Sequence, residues 1–152
     1  MAETLNEFRG NHKYNLLDDN VRRFNAEVPL FAQWDDHETT NNWFPGEILD
    51  DPRYSEREVD VLSARANQAF HEFTPIRLAP GDDDRIYRSV SYGPSLDLFF
   101  LDMRTYRGPN SPNVQTEASE ATALLGERQL RWLQVELRCS KATWKVIASD
   151  MP

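Results

Sequence analysis

The sequence predicts an α/β protein with its layers built from alternating helices and strands. Two observations carry this. Short apolar runs of strand length alternate with longer amphipathic segments of helical period along the chain. Near the end, the order is strand, helix, strand, which suggests a crossover connection between strands of one sheet.

The elements follow in order. Residues 16–27, "LLDDNVRRFNAE", read as a short helix, with Asp18 or Asp19 near its start and Leu17, Val21 and Phe24 on one face. Pro29 ends it, and "LFAQW" at 30–34 reads as a strand. "SEREVDVLSARANQAFHEFTP" is the clearest helix. Ser55 and Glu58 are spaced as a capping box, and Val59, Leu62, Ala66, Ala69, Phe70 and Phe73 form a core-facing stripe up to Thr74-Pro75. "RIYRSVSYG" and "SLDLFFLD" read as an antiparallel pair turned at Gly93-Pro94-Ser95, and the run Leu98 to Leu101 suits a strand covered on both faces. After a polar loop at 108–120, "GERQLRWLQVELRCS" predicts a helix with Leu130, Leu133 and Leu137 inward. "TWKVIAS" closes as a strand.

The chain has 152 residues, the length of one domain, and 39% hydrophobic residues, enough for a core. Its net charge of −8 argues against a nucleic-acid surface and against binding acidic membranes by charge. Bound cations can still recruit an anionic substrate to an acidic protein. The single Cys139 excludes an intrachain disulfide. No apolar run approaches the ~18 residues of a membrane span, and the opening "MAETLNEFRGNHKY" lacks the apolar centre of a signal peptide. The end at "WKVIASDMP", directly after an expected buried strand, reads as a piece of a longer protein.

Chemistry concentrates in "PLFAQWDDHETTNNW", residues 29–43. Asp35, Asp36, His37, Glu38 and Asn42 follow the expected strand, and loops beyond the carboxyl ends of strands are where α/β sheets bind ligands. Carboxylate, imidazole and amide oxygen make a mixed oxygen and nitrogen set for Ca²⁺, Mn²⁺, Fe or Zn²⁺. Adjacent aspartates repel unless a cation, a donor network or a proton offsets them. The competing reading is a solvated loop whose Asp and Asn side chains form Asx-turns. His12 and His71 read as surface or helix-face residues, and "GDDD" at 81–84 as a solvated turn. In "LDMRTYR", residues 101–107, Asp102 with Arg104 and Arg107 suits a buried ion-pair network at a strand end; the alternative is an arginine facing phosphate. The sequence has no Gly-rich phosphate loop, paired CxxC or G-x-S-x-G elbow.

Taken together, "FRGNHKYNLLDDNVRRFNAEVPLFAQWDDHETTNNW", "LFFLDMRTYRGPN", "LLGERQLRWLQVEL" and "TWKVIASDMP" resemble, in order, the PhoD-type alkaline phosphatases. The resemblance implies a calcineurin-like αββα metallophosphatase core with mixed sheets. It also implies metal-dependent hydrolysis of small phosphate mono- or diesters, with calcium and iron as the family's metals and manganese or zinc as alternatives. On the same footing Asp35 or Asp36 would ligate the metal pair, Asn42 would ligate or position a metal, and His37 would sit beside the scissile phosphate. Further ligands of the family lie outside the quoted segments. Residues 1–152 therefore correspond to the central part of such a domain, an incomplete core, and export is expected of the full-length protein. The reading from another class is a truncated or degenerate phosphatase-like domain without catalysis.

Overall fold

The computed structural model describes residues 1–78, 81, 84–112 and 114–151, so the "GDDD" turn lies partly outside the described residues. A helix not anticipated from the sequence opens the chain: α1, Leu5–Asn15. It is set by a capping box, in which the Thr4 hydroxyl accepts from the Glu7 backbone N–H and the Glu7 carboxylate accepts from the Thr4 N–H at 2.8 Å. Helix α2, Asp19–Glu27, matches the expected segment and is capped by Asp18, but it buries no residue; Leu17, Val21 and Phe24 are exposed.

Residues 30–34 form no strand, contrary to the sequence pattern. The reason is local. The Ala32 carbonyl, which a ladder would use, accepts instead from the Arg88 guanidinium at 2.6 Å, and the Gln33 amide donates to the Leu101 carbonyl at 2.6 Å. The segment is thus fastened to the sheet by side chains. It delivers Trp34 into the core, edge-on to Phe70 with ring centroids 5.2 Å apart.

Helix α3, Val59–Phe73, buries Val59, Leu62, Ala66, Ala69 and Phe70 of its expected stripe, while Phe73 is only half-buried. The expected Ser55–Glu58 capping box does not form. Residues 57–59 run extended against 47–49, with Leu49 N–H donating to the Arg57 carbonyl (2.9 Å) and Val59 N–H to the Glu47 carbonyl (3.0 Å). Helical geometry therefore starts after Glu58, too late for Ser55 to reach the first turn. The N–H groups of Ser55 and Glu56 donate to the Glu3 carboxylate instead.

Three strands make one mixed sheet in the order β1-β2-β3: β1, Arg88–Ser91; β2, Leu96–Phe100; β3, Trp144–Ala148. β1 and β2 form the expected hairpin, whose turn needs the left-handed φ of +72° at Gly93. β2 and β3 are parallel and joined through α4, Gly126–Cys139, which is the expected crossover. The end of β2 is buried on both faces: Phe99 packs with Leu133 of α4, while Phe100 lies under Phe31 and the Arg88 guanidinium; Leu96, Asp97 and Leu98 are half-buried. In α4 Leu133 is buried and Leu137 packs beside it, but Leu130 is exposed and Gln129 takes the inward position. Gln129 is held there by Asp102, whose N–H donates to its side-chain oxygen (2.8 Å) and whose carbonyl accepts from its amide (2.7 Å). Among the described residues no helix is long and apolar enough to cross a membrane.

Candidate active site

The ends of β2 and β3 lie side by side, Leu101 N–H donating to the Ala148 carbonyl at 3.0 Å. The chain beyond each strand therefore enters one region, where the Trp34–Asp35 segment also arrives. Beyond β2, the Asp102 carboxylate accepts from the backbone N–H groups of Arg104 (3.0 Å) and Thr105 (2.9 Å), closing a turn. This turn aims the Arg104 side chain, only 5% exposed, across the strand ends.

Arg104 is the hub of the site. One guanidinium nitrogen, Nη2, donates to Asp35 Oδ1 at 2.9 Å, and Nε donates to Asp150 Oδ2 at 2.8 Å. Nη1 lies 3.8 Å from Asp36 Oδ2. The expected network of Asp102, Arg104 and Arg107 is thus rearranged. Asp102 serves the backbone, Arg104 gathers three other carboxylates, and Arg107 donates to Asn110 at 2.7 Å. The partners changed because Asp102 Oδ1 is engaged by its own turn, whereas Asp35, Asp36 and Asp150 arrive from other segments within reach of Arg104.

The cluster residues 35–42 fold as a tight turn, with Asp35 Oδ1 accepting from Asp36 N–H at 2.7 Å and Asp36 Oδ2 from Asn42 N–H at 2.6 Å. The Asx-type bonding of the competing reading is therefore present, together with a buried charge network that a solvated loop would lack. Asn42 sits at a φ of +52°, a left-handed value that asparagine tolerates. Its backbone holds the turn: its N–H serves Asp36, and its carbonyl accepts from the Asn110 amide at 2.8 Å. His37 points outward, 73% exposed, with Nε2 3.0 Å from Asn41 Oδ1 and 3.8 Å from Asp36 Oδ1. The structure thus gathers Asp35 and Asp36 into the cluster, ties Asn42 to it through the backbone, and leaves His37 at its rim.

The protonation pattern follows from these contacts. Burial, then a hydrogen bond with the Asp35 carboxyl, pushes Asp150 up to about 6. Burial alone would raise Asp35 too, but the bonds from Asp150, the Asp36 N–H and Arg104 together hold it below the usual carboxylate range. Of the two carboxyls, Asp150 is the one that takes up a proton more readily. Burial raises Glu38, whose carboxylate accepts from the Asp35 N–H at 2.9 Å. The hydrogen bond to Asn41, then the Asp36 charge, raises His37.

Sequence reasoning passed over Asp150. Its signal was the one that singled out Asp35, a carboxylate directly behind an apolar run, here "WKVIAS". Asp150 Oδ1, Arg104 Nη1 and Asp102 Oδ2 are buried without hydrogen-bond partners, so the region retains unspent polar capacity. Its carboxylate oxygens are hard donors that fit Ca²⁺ or a trivalent iron in kind. Among the described residues, however, no three His, Cys, Asp or Glu side chains converge in a metal-holding group. The site fits a metal as a partial ligand set. Two cavities of about 640 and 850 Å³ open elsewhere, the first reaching Trp34 and Thr105, and neither is lined by Asp35, Asp36 or His37.

Residues 1–152 match the family model described as PhoD-like phosphatase. The chain is 31% identical over 157 residues to alkaline phosphatase D of Bacillus subtilis (strain 168), covering 97% of this chain and 27% of that protein. It is also similar to a solved structure described as that of PhoD, with a TM-score of 0.74 and 32% identity over 96% of this chain and 29% of that one. The chain therefore spans less than a third of the length of these relatives.

Proposed function

The chain belongs to the PhoD-like phosphatase family, and we propose that it carries part of the active site of a metal-dependent phosphate-ester hydrolase, within an αββα core to which its sheet contributes. The observation that supports this most is the buried Arg104 joined to Asp35 and Asp150 beyond the adjacent ends of β2 and β3, in a chain matched by the family along its whole length.

The two adjacent aspartates take different roles. Asp35 Oδ1 already accepts from Arg104 and from the Asp36 N–H, so Asp35 belongs to the clamp that fixes the turn. Asp36 Oδ1 faces His37 while its other oxygen is fixed by the Asn42 N–H, which supports Asp36 as the aspartate that would hold a cation. Asp150 is the further oxygen donor at hand. A bound calcium or iron ion, or manganese or zinc in its place, would polarise the phosphoryl oxygens and acidify a water. His37, exposed and with its affinity for protons raised, can donate a proton to a leaving oxygen or stabilise charge on the phosphoryl group. The substrate is a small mono- or diester, since an acidic chain offers no nucleic-acid surface.

The test compares metal content and p-nitrophenyl phosphate and bis-p-nitrophenyl phosphate hydrolysis in the intact gene product. Asp36→Ala should lower metal content and turnover together. His37→Ala should leave metal content unchanged while kcat falls roughly 10²–10⁴-fold. Full activity in His37→Ala removes the histidine from the mechanism, and unchanged metal content in Asp36→Ala removes Asp36 as a ligand.

A further inference from the structure

The larger cavity, about 850 Å³, reverses the charge balance of the chain. The sequence holds 25 acidic against 17 basic residues, yet among the described residues lining this cavity three are arginines, Arg77, Arg85 and Arg88, and one is acidic, Glu136. Arg88 is half-buried. Its guanidinium lies over the Phe100 ring at 4.3 Å and donates to the carbonyls of Ala32 at 2.6 Å and Ile86 at 3.3 Å. Among the described residues no carboxylate pairs with it, and burial pushes it below the ordinary arginine value. A desolvated cation without a counter-charge is costly, and an anion brought beside it offsets that cost. Arg77 is exposed and likewise has no ion pair among the described residues. Glu136 accepts from the Ser89 hydroxyl at 2.6 Å. Another wall of the cavity is apolar: Val28, Leu30 and Phe31 line it while 41%, 57% and 43% exposed. Their segment is held in place by the Arg88 bond to Ala32 and by Phe31 against Phe100, with centroids 5.8 Å apart. The cavity is thus preformed, with apolar walls and a few charged groups, which is the make-up of small-molecule sites.

We propose that this cavity binds an amphipathic carboxylate, its single carboxylate held by Arg77 and Arg88 and its apolar body laid over Val28, Leu30 and Phe31. Each half of such a ligand answers one feature of the lining. A guanidinium presents a planar set of donors that matches a carboxylate. The apolar body takes three exposed hydrophobic side chains out of water. Glu136, the acidic member of the lining, disfavours a second negative charge on the ligand. A neutral apolar molecule would leave Arg88 without a counter-charge, and a small inorganic anion would leave the apolar wall wet. The cavity is not lined by Asp35, Asp36 or His37, so this site is separate from the Arg104 cluster and does not rest on phosphate-ester hydrolysis.

Isothermal titration of the intact gene product with sodium octanoate tests the site, with 1-octanol and acetate as probes that each carry one half of the ligand. Octanoate should saturate at one per chain, and 1-octanol and acetate should each bind about tenfold more weakly or worse. Arg77→Gln removes one of the two cations, and Leu30→Glu sets a negative charge in the apolar wall; each should weaken octanoate by about tenfold or more. Both positions are exposed and leave the Arg88 bond to Ala32 in place, so the circular dichroism spectra should match wild type. An absence of saturable octanoate binding overturns the proposal, as does 1-octanol or acetate binding as tightly as octanoate. So does undiminished octanoate binding in either variant, which would put the ligand elsewhere on the protein. The wild-type comparison of the three probes decides the matter even where a variant fails to fold.

Discussion

Gln129 shows how one buried amide can displace a leucine. It occupies the inward face of α4 because both its side-chain oxygen and its nitrogen are matched to the backbone of Asp102, at 2.8 and 2.7 Å. Leu130, one position and about 100° further round the helix, is turned to the surface. The bonds also fix the residue from which the Arg104 turn begins. Gln129→Leu would strand an N–H and a carbonyl at a residue only 1% exposed, at a cost of about 1–3 kcal/mol per stranded group. Gln129→Glu, which keeps the acceptor and loses the donor, should fall between wild type and Gln129→Leu in urea unfolding. Equal midpoints for all three would show that water replaces the side chain. Hydrophobic period alone pointed to Leu130, since no count of apolar positions registers a backbone group two elements away. The aspartates of the "DDHE" turn were legible because they are dense in the sequence. Asp150 follows an apolar run too, but alone, and its significance comes from Arg104, 46 residues earlier.

At the level of elements, the sequence marked α3, the β1–β2 hairpin and the crossover through α4, since each has a period or turn signal of its own. It missed α1, whose "TLNE" capping box was present but whose helix buries only Phe8. It also assigned residues 30–34 to a strand, because an apolar run does not reveal that side chains occupy its carbonyls. The attachment of α1 to α3 is polar and partly aromatic: Arg9 pairs with Glu72 at 2.6 Å, and the His12 ring stacks on Phe73 with centroids 5.0 Å apart. Both acidic groups titrate low, at about 2 instead of the ordinary 4.5: Glu7 through its bonds to the Thr4 and Glu3 N–H groups, Glu72 through Arg9. A carboxylate depressed in the folded state stabilises it above the unfolded value and loses that contribution as pH falls. The loss here runs from about 4.5 down to about 2. Burial lowers His12 below 6.5; the unfolded chain therefore protonates first, and stability begins to drop as pH falls through 6.5. All three groups act in one direction. Hydrogen-exchange protection factors over residues 5–15 should fall first below about pH 6.5 and again below about pH 4.5, before those of α3 respond, and the Glu72→Gln variant should lose part of the second step. A uniform fall in protection of α1 and α3 together would contradict a separately docked helix.

Across the whole molecule the apolar interior divides in two. One cluster gathers Phe8, Trp34, Trp43, Leu62 and Phe70 around α1 and α3; the other gathers Phe99, Leu101, Met103 and Leu133 between β2 and α4. Among the described residues no buried one is common to both. Among the described residues, what joins them is largely polar: Gln33 to the Leu101 carbonyl, Arg88 to the Ala32 carbonyl, and Arg104 to Asp35, with Phe31 against Phe100. Arg104 makes the ion pairs of this seam, with Asp35 and Asp36, while its most buried pair, with Asp150 at 5% and 1% exposure, ties together the segments beyond β2 and β3. Removing one partner of a buried pair typically costs about 3–5 kcal/mol, because the other is left uncompensated. Arg104→Ala would leave Asp35, Asp36 and Asp150 facing one another with no cation between them. Part of that cost falls on the seam, through the contacts to Asp35 and Asp36, so the effect should be loss of coupling as well as loss of stability. In wild type, the slowest amides of α3 (Leu62 to Phe70) and of β2 (Leu98 to Phe100) should report one shared opening free energy. In Arg104→Ala they should separate, α3 and the β2–α4 unit opening independently. Arg104→Lys should be intermediate, since an ammonium restores charge without the planar fork that reaches Asp35 and Asp150 together. If Arg104→Ala lowers both sets of amides equally and unfolds in one step, the two clusters form one cooperative core and the arginine serves the site alone.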